Sequence, residues 1–388
     1  MTHTADVVVV GAGAVGAACA YFLARAGLRV FVVERDAIAS GTTSACEGNL
    51  LVSDKELGPE LALALYSRSV WRDDLAEHGH RWEFEAKGGL VVVASEEGAQ
   101  TLSALAARQR EAGIEVSEVA CADLRDYEPY LTPSLAAGAF YPQDAQVQPM
   151  LLVAHLLRMA RKLGATVRTH TEVTGLRRTG DRVTGVETST GPVAAGAVLN
   201  AAGPWAGRVA RLADVALPVL PRRGFVLVTE PLPRVVRHKV YAGEYVAGVV
   251  SSDAGLQASP VVEGTPSGTI LIGSSRERVG FDRRASLPVL SSLARNAVAL
   301  FPTLRGVKAI RSYVGFRPYC PDHLPVIGED RRAPGLWHAG GHEGAGIGLS
   351  VGTGKLLAQA LLGTTTDLDL TPFAPNRFTA DQLEAAHG

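Results

Sequence analysis

The stretch Ala5–Arg35 reads ADVVVVGAGAVGAACAYFLARAGLRVFVVER, and it decides the fold of this chain. Val7–Val10 is a continuous run of valines, which is typical of a strand buried on both faces of a parallel sheet. A glycine-rich turn, an alanine-rich helical segment and a second apolar strand ending at Glu34 follow. The order of strand, glycine turn, helix, strand and acid predicts a dinucleotide-binding β-α-β unit.

Each glycine of this turn has a physical role in such a unit. Gly11 allows the tight turn, Gly13 lets the backbone approach a pyrophosphate, and Gly16 lets the helix pack closely against the strand. The helix N-terminus then offers unpaired N–H groups and a positive dipole end to the phosphates. We expect Glu34 to accept hydrogen bonds from the adenosine ribose. The motif alone does not distinguish FAD from NAD, because both contain ADP.

The composition bounds the class of protein. The chain has 388 residues, 47% hydrophobic and 20% charged, and a formal net charge of -1. Such a chain can form two or three domains with a core, and it shows no basic surface that would indicate nucleic acid or a membrane as partner. No apolar window is long enough to span a bilayer. The run Val7–Leu23 lacks a basic leader and contains a glycine turn, so we interpret it as folded structure rather than a targeting segment.

The cysteines favour a reducing compartment. Cys19, Cys46, Cys121 and Cys320 are scattered, with no CxxC pair and no histidine at ligand spacing. The sequence therefore predicts free thiols and no metal or iron–sulfur site. We expect a cytoplasmic protein, either free or attached peripherally to the inner face of the membrane.

Three later stretches favour FAD over NAD. The small, polar loop Ser40–Leu51 could line pyrophosphate and flavin, or could be a surface loop. Arg182–Ala206 predicts a hairpin that ends in a close backbone approach at Gly203, or an internal hairpin with no ligand. Gly335–Gly363 predicts a strand, a glycine-rich turn and a helix whose N-terminus would stabilise negative charge on reduced flavin, unless its glycines serve only tight packing.

These motifs together resemble the D-amino-acid oxidase superfamily of flavoproteins, which includes glycine oxidase, sarcosine oxidase and D-amino-acid dehydrogenase. The resemblance rests on the glycine-rich start, on VLNAAGPW, and on GFRPYCPDHLPVIGED followed by GLWHAGGHEGAGIGLSVGTGKLLA. It is weakest between about residues 225 and 306. Within the group, GTTSACEGNLLVSDKELGPELALALYSRSVW and GFRPYCPD are most similar to the flavin-bearing β subunits of hydroxyproline dehydrogenase and opine oxidase.

The resemblance assigns Arg317 as the residue that binds the substrate carboxylate, because it matches the arginine of the family's Gly-x-Arg-Pro context. A guanidinium grips a planar carboxylate with two charge-assisted hydrogen bonds. The alternative is a structural arginine paired with Asp322 or Glu329. Tyr319 is the second catalytic candidate, and Tyr241 and Tyr245 could assist or be simple core and rim residues.

The resemblance implies non-covalent FAD. The cysteine to which some sarcosine oxidases attach flavin aligns near Gly315, and Cys46 is the alternative attachment point. His342 matches the family's glycine–histidine turn near the flavin. The candidate cofactor-binding residues are Gly11, Gly13, Ala14, Val15, Gly16, Glu34, Arg35, Ser40, Thr42, Thr43, Ser44, Gly48, Asn49, Leu50, Val173, Ala202, Gly203, Arg317, Gly341, His342, Gly344, Ala345, Gly346 and Ile347.

The implied fold class is α/β: a Rossmann-like FAD-binding domain of the glutathione-reductase type, interleaved with a mostly antiparallel α+β substrate domain. We expect residues 1–83, 146–220 and 325–388 in the FAD-binding domain and residues 84–145 and 221–324 in the substrate domain.

The implied function is oxidation of the Cα–N bond of a small amino or imino acid, such as D-hydroxyproline, proline, sarcosine or an opine, by hydride transfer to FAD. The resemblance to multi-subunit dehydrogenases implies an electron-accepting partner subunit that carries an iron–sulfur centre, since this chain has no ligands for one. The alternatives are a self-sufficient oxidase that releases hydrogen peroxide, and a non-catalytic flavin-binding subunit of a larger complex.

Overall fold

The computed structural model describes residues 3–249 and 251–384, and two large sheets organise them. The first sheet has the strand order β17-β18-β11-β1-β2-β8, with the hairpin β9–β10 attached to β11. Strands β18, β11, β1, β2 and β8 run parallel. Its strands are β1 (His3–Val10), β2 (Val30–Val33), β8 (Thr166–Arg168), β9 (Val173–Thr179), β10 (Arg182–Thr188), β11 (Val193–Asn200), β17 (Val326–Glu329) and β18 (Leu336–Gly340).

The second sheet has the order β16-β12-β15-β14-β13-β4-β6-β5. All neighbours in it are antiparallel except β13 and β4. Its strands are β4 (Gly89–Val93), β5 (Ser117–Ala120), β6 (Ala137–Tyr141), β12 (Leu220–Thr229), β13 (Lys239–Ala242), β14 (Gln257–Gly264), β15 (Ile270–Arg276) and β16 (Ala309–Tyr319). The short strands β3 (Asn49–Leu50) and β7 (Ala145–Gln146) pair separately.

Helices cover both sheets. They are α1 (Ala14–Arg25), α2 (Pro59–Asp73), α3 (Glu96–Glu111), α4 (Leu124–Tyr127), α5 (Pro149–Lys162), α6 (Ala206–Arg211), α7 (Gly243–Val249), α8 (Leu287–Leu300), α9 (Gly346–Leu361) and α10 (Ala380–Glu384). Helices α3 and α8 pack against the second sheet. Within the described residues, none of these helices combines the length and apolarity that crossing a bilayer requires.

Close packing of α1 against α9 fixes the geometry of the site. Gly354 of α9 lies against the backbone of Ala18 and Cys19 in α1, and a Cβ at Gly354 would come within 2.9 Å of those atoms. Nearly every residue of α1 is buried, because the helix packs between the parallel sheet, α5 and α9. The tight contact holds the N-termini of the two long helices at one cavity.

The observed architecture confirms the predicted fold class, a Rossmann-like α/β unit combined with a mostly antiparallel sheet. Strands of the first sheet (β1–β2, β8–β11 and β17–β18) alternate along the chain with those of the second (β4–β6 and β12–β16). The domain boundaries themselves stay predictions.

Candidate active site

A cavity of about 410 Å³ is lined by residues from both large sheets and from the loops between them. Its wall includes the carboxyl ends of β1 and β2 and residues of the β16–β12 pair. The predicted site residues on its wall are Gly11, Gly13, Ala14, Val15, Glu34, Arg35, Ser40, Thr42, Thr43, Asn49, Val173, Ala202, Gly203, Arg317, His342, Gly344, Gly346 and Ile347. The structure thus brings together residues that are up to 336 positions apart in the chain.

The turn before α1 forms a backbone cradle. Gly11 has a φ of +109°, which favours glycine, and a Cβ there would lie 2.5 Å from the Ala201 carbonyl oxygen. The Thr43 hydroxyl accepts a hydrogen bond from the backbone N–H of Ala14 at 3.1 Å, and a Cβ at Gly13 would meet the same hydroxyl at 3.3 Å. The loop Ser40–Leu51 is therefore held against the helix N-terminus, where phosphates bind by dipole and N–H contacts.

The carboxylate of Glu34 lines the cavity beside the glycine turn. It accepts hydrogen bonds from the backbone N–H of Ala12 at 2.8 Å and of Asp36 at 2.9 Å. Arg35 lies over the Trp205 ring, with 4.8 Å between the guanidinium carbon and the ring centroid. The backbone fixes the Glu34 carboxylate beside the glycine turn, where a ribose hydroxyl would meet it.

The N-terminus of α9 reaches the cavity through His342, Gly344 and Gly346. His342 is 3% exposed, and its Nε2 lies 3.0 Å from the Thr353 hydroxyl. Burial lowers the pKa of His342 to about 3. The imidazole is therefore neutral at any working pH, and the positive end of the α9 dipole supplies the local electrostatic field.

Three glycines lie on neighbouring strands of the second sheet, and two of them, Gly224 and Gly315, line the cavity. A Cβ at Gly315 would lie 2.6 Å from the Ala45 carbonyl oxygen. A Cβ at Gly224 would lie 2.3 Å from Nη1 of Arg317, and one at Gly273 would lie 2.4 Å from Oε1 of Glu47. The absent side chains thus leave room for a loop backbone, a guanidinium and a carboxylate on one sheet face.

Arg317 crosses this sheet face from β16 toward β15. Its side chain passes over Gly224, and its Nη1 donates to the Ser275 carbonyl oxygen at 2.8 Å. The predicted alternative partner Asp322 instead binds Arg377, at 2.6 Å. Arg317 is therefore an oriented cation on the cavity wall.

Seven predicted residues lie off this wall. Gly16 faces the Gly11 carbonyl oxygen, and Gly48 faces that of Val147, so both allow close packing. The Ser44 hydroxyl donates to its own turn, at the Gly41 carbonyl oxygen. Gly341, at a φ of +72°, faces the sulfur of Cys320. The remaining residues are Leu50 and Ala345, which line a neighbouring cavity of about 360 Å³, and Tyr319.

Tyr319 is 2% exposed, and its ring packs against His323 and beneath the guanidinium groups of Arg222 and Arg278. Tyr241 is fully buried and its hydroxyl bonds to that of Ser53. The side chain of Tyr245 lies outside the described residues. Neither Tyr319 nor Tyr241 is brought to the cavity wall, because each hydroxyphenyl group is enclosed by its own neighbours.

The sequence reasoning missed several wall residues. Glu47 stands within the predicted loop, and Trp205 within the quoted AAGPW stretch, yet neither was a candidate. Gly224 and Val226 come from the least similar segment of the chain, where no motif indicated them. The alternation of side chains along β12 would have placed both on one face once its pairing with β16 was known.

The family described as FAD dependent oxidoreductase matches residues 6–360 of the sequence. The chain belongs to this family. Glycine oxidase of Geobacillus kaustophilus is 32% identical over 386 residues, covering 97% of this chain and 98% of that protein. Hydrogen cyanide synthase subunit HcnC of Pseudomonas aeruginosa is 29% identical over 429 residues, covering 100% and 99% of the two chains.

Two solved structures of other proteins have the same fold as this chain. The crystal structure of the Geobacillus kaustophilus glycine oxidase matches with a TM-score of 0.89 at 30% identity, covering 98% of this chain and all of that one. L-proline dehydrogenase from P. horikoshii shares the fold, with a TM-score of 0.88 at 22% identity over 97% and 98% of the two chains. The resemblance to the D-amino-acid oxidase superfamily is confirmed, whereas the narrower likeness to hydroxyproline dehydrogenase and opine oxidase β subunits stays a prediction.

FAD is the cofactor of this family member. The cavity fits FAD, because two helix N-termini, a glycine-rich turn and the carboxylate of Glu34 line one space. The Glu34 carboxylate lies where a ribose hydroxyl would meet it. Among the described residues, no group of three or more His, Cys, Asp or Glu could hold a metal ion. The residue-level assignments for FAD stay predictions, and the wall residues above are the ones we propose to hold it.

Gly224→Ala should weaken substrate binding while FAD is retained. The new Cβ would overlap Nη1 of Arg317 and would also press on the Ser275 carbonyl oxygen, so the guanidinium must move and the melting temperature should fall modestly. A misplacement of about 1 Å can cost up to about 100-fold in rate. Gly306→Ala is the control, because a Cβ there meets nothing within 4 Å. Unchanged substrate affinity in the Gly224 variant would show that the guanidinium tolerates the displacement.

Proposed function

We propose that the protein oxidises the Cα–N bond of a small amino or imino acid, of the D-hydroxyproline, proline, sarcosine or opine class. The observation that carries the proposal is Arg317, oriented by the Ser275 carbonyl oxygen on the wall of the cofactor cavity. Its guanidinium would grip the substrate carboxylate and thereby direct the Cα–H bond toward the flavin. The relatives named glycine oxidase support an amino acid as substrate.

The residues of this chain supply binding, orientation and exclusion of water, and FAD supplies the hydride-accepting N5 atom. Arg317, bound to the substrate carboxylate, would hold the substrate at a fixed distance from the position of the flavin ring. The α9 N-terminus favours negative charge at the reduced cofactor, whereas the neutral His342 adds no charge of its own. We propose non-covalent FAD, since Gly315 stands where a covalent cysteine would align. Burial raises the pKa of the Cys46 thiol to about 12, which disfavours the thiolate that attachment requires.

We propose that the electrons pass to a partner subunit. The relative HcnC is named as a subunit, which supports an assembly of more than one chain. The free state of all four cysteines supports a reducing compartment such as the cytoplasm. A self-sufficient oxidase is the second candidate, favoured by the likeness to glycine oxidases.

Anaerobic mixing of the purified yellow protein with a panel of amines tests this function. The panel holds D- and L-proline, D-hydroxyproline, sarcosine, glycine and opines. We expect at least one to bleach the flavin absorbance within a turnover. Peroxide release by the isolated chain in air would favour the oxidase, whereas bleaching without peroxide favours a partner acceptor. If no amine bleaches the bound flavin, the protein is a non-catalytic flavin-binding subunit.

A further inference from the structure

Glu47 places a carboxylate on the wall of the cofactor cavity. Glu47 is 8% exposed, and its Oε2 accepts a hydrogen bond from Nδ2 of Asn49 at 3.1 Å. Its Oε1 has no hydrogen-bond partner within residues 3–249 and 251–384. Buried polar atoms are nearly always hydrogen-bonded, and a charged one without a partner is costly. The unused oxygen therefore indicates a proton or a ligand.

Two lysines and two further glutamates lie behind Glu47. Nζ of Lys239 lies 3.7 Å from Glu47 and 3.4 Å from Glu263, which is fully buried. Lys87 lies beside Glu85, at 3.7 Å. Three carboxylates thus face two ammonium groups, and the charge of Arg234 also acts on Lys87. Burial raises the pKa of Glu263, although the attraction of Lys239 and Lys87 lowers it in part.

Further ionisable groups near Glu47 are Tyr313, Cys46, Arg311 and Arg317. The Tyr313 hydroxyl donates to the Cys46 carbonyl oxygen at 3.2 Å, and both side chains are neutral because burial raises the pKa of each. Arg311 lies over the Tyr313 ring, and Arg317 lies on the cavity wall with its Nη1 donating to the Ser275 carbonyl oxygen. Among the described residues, Oε1 of Glu47 has no hydrogen-bond partner, and Glu47 shares this cavity wall with Arg317.

Glu47 and Arg317 lie at a separation that suits one amino acid. Oε1 of Glu47 lies over Gly273, and Nη1 of Arg317 binds the carbonyl oxygen of Ser275, two residues further along β15. Two residues of a strand span about 7 Å. A zwitterion held by its carboxylate at Arg317 can extend its ammonium group toward Glu47, since nitrogen and carboxylate are both attached to Cα.

We propose that Glu47 binds the substrate's ammonium group and accepts its proton before hydride transfer, with Lys239 and Glu263 holding the charge of the cluster. This inference rests on the proposed function. The N–H bond breaks and an O–H bond forms at Glu47. The nitrogen lone pair then forms the C=N bond as the Cα hydrogen leaves with its electron pair to oxidised FAD. The product is an iminium ion, and the proton on Glu47 later passes to water.

The test compares Glu47→Gln, Glu47→Asp and the wild type, with Glu60→Gln as control. Glu60 is also a buried glutamate paired with a lysine, but it lies off the cavity wall. FAD content and melting temperature are measured first. The ligands are the amine that bleaches the flavin and its ether analogue, such as sarcosine with methoxyacetate or proline with tetrahydrofuran-2-carboxylate. The readouts are Kd from the flavin spectrum, the pH dependence of flavin reduction, and proton release by calorimetry in two buffers.

Glu47→Gln should weaken amine binding by about tenfold or more, as expected for one lost charged hydrogen bond, and leave the ether analogue within about threefold. Flavin reduction should need a higher pH, because the solvent must now take the proton, and Glu47→Asp should restore part of the wild-type profile. Equal losses for amine and ether, or an unchanged pH profile with normal FAD content, would overturn the inference while leaving amine oxidation in place. A wild type that no amine bleaches would overturn both.

Discussion

Arg317→Met should raise the Kd of the substrate by roughly 30- to 4,000-fold while the bound FAD remains near the wild-type amount. Removing one partner of a buried, hydrogen-bonded charge pair costs about 2–5 kcal/mol. Methionine reaches only as far as Nε of the arginine, so the contact with Gly344 stays filled, whereas the space that Cζ and Nη1 occupy over Gly224 opens. Spectral titration of the oxidised flavin with substrate and with its ether analogue measures the effect. Both ligands should weaken alike, because both carry the carboxylate.

Arg311→Met is the matched control for this variant. Arg311 lies on the same strand, β16, but its side chain is exposed and lies over Tyr313. Its loss should leave both the substrate Kd and the FAD content unchanged. A wild-type Kd in the Arg317 variant would remove this residue from the substrate site and with it the main support for the proposed function.

Gly11→Ala should yield protein with little or no FAD. Two costs add at this position, since an L side chain is strained at a φ of +109° and its Cβ would lie 2.5 Å from the backbone oxygen of Ala201. Together they should amount to about 2–5 kcal/mol, and the turn must move away from the strand β11 to relieve them. The cradle for the pyrophosphate moves with it. The ratio of flavin to protein absorbance after gel filtration gives the occupancy.

Gly27→Ala separates the strain of a positive φ from the clash of the new Cβ. Gly27 also has a positive φ, of +86°, but a Cβ there would meet nothing within 4 Å. This variant should lose a little stability and keep its FAD. Equal FAD loss in both variants would mean that general destabilisation, rather than the cradle at Gly11, controls cofactor binding.

In the proposed site, a cation and an anion contact opposite ends of the substrate. Arg317 and Glu47 lie on one sheet face, and the glycines at 224 and 273 leave the space that each charged group occupies. Because the variants at the two positions affect different ligand groups, the ether analogue distinguishes them. Loss of carboxylate binding weakens both ligands, and loss of the ammonium contact weakens only the amine.

The sequence by itself determined the cofactor half of the protein. The valine run, the glycine turn, the alanine-rich helix and Glu34 are local signals, because phosphate binding at a helix N-terminus needs particular residues within about thirty positions. The same is true of the glycine-rich turn before α9, whose His342, Gly344 and Gly346 line the cavity. Fold class and FAD could therefore be predicted from the chain alone.

Only the tertiary structure decided the substrate half. Glu47 faces Lys239 and Glu263 across nearly two hundred residues of chain, and Gly224 matters because β12 pairs with β16. Tyr319 looked suitable two residues after Arg317, yet its ring is enclosed by Arg222, Arg278 and His323. The role of a charged side chain or of a glycine depends on which residues strand pairing places beside it. No local sequence pattern predicts the pairing of distant strands.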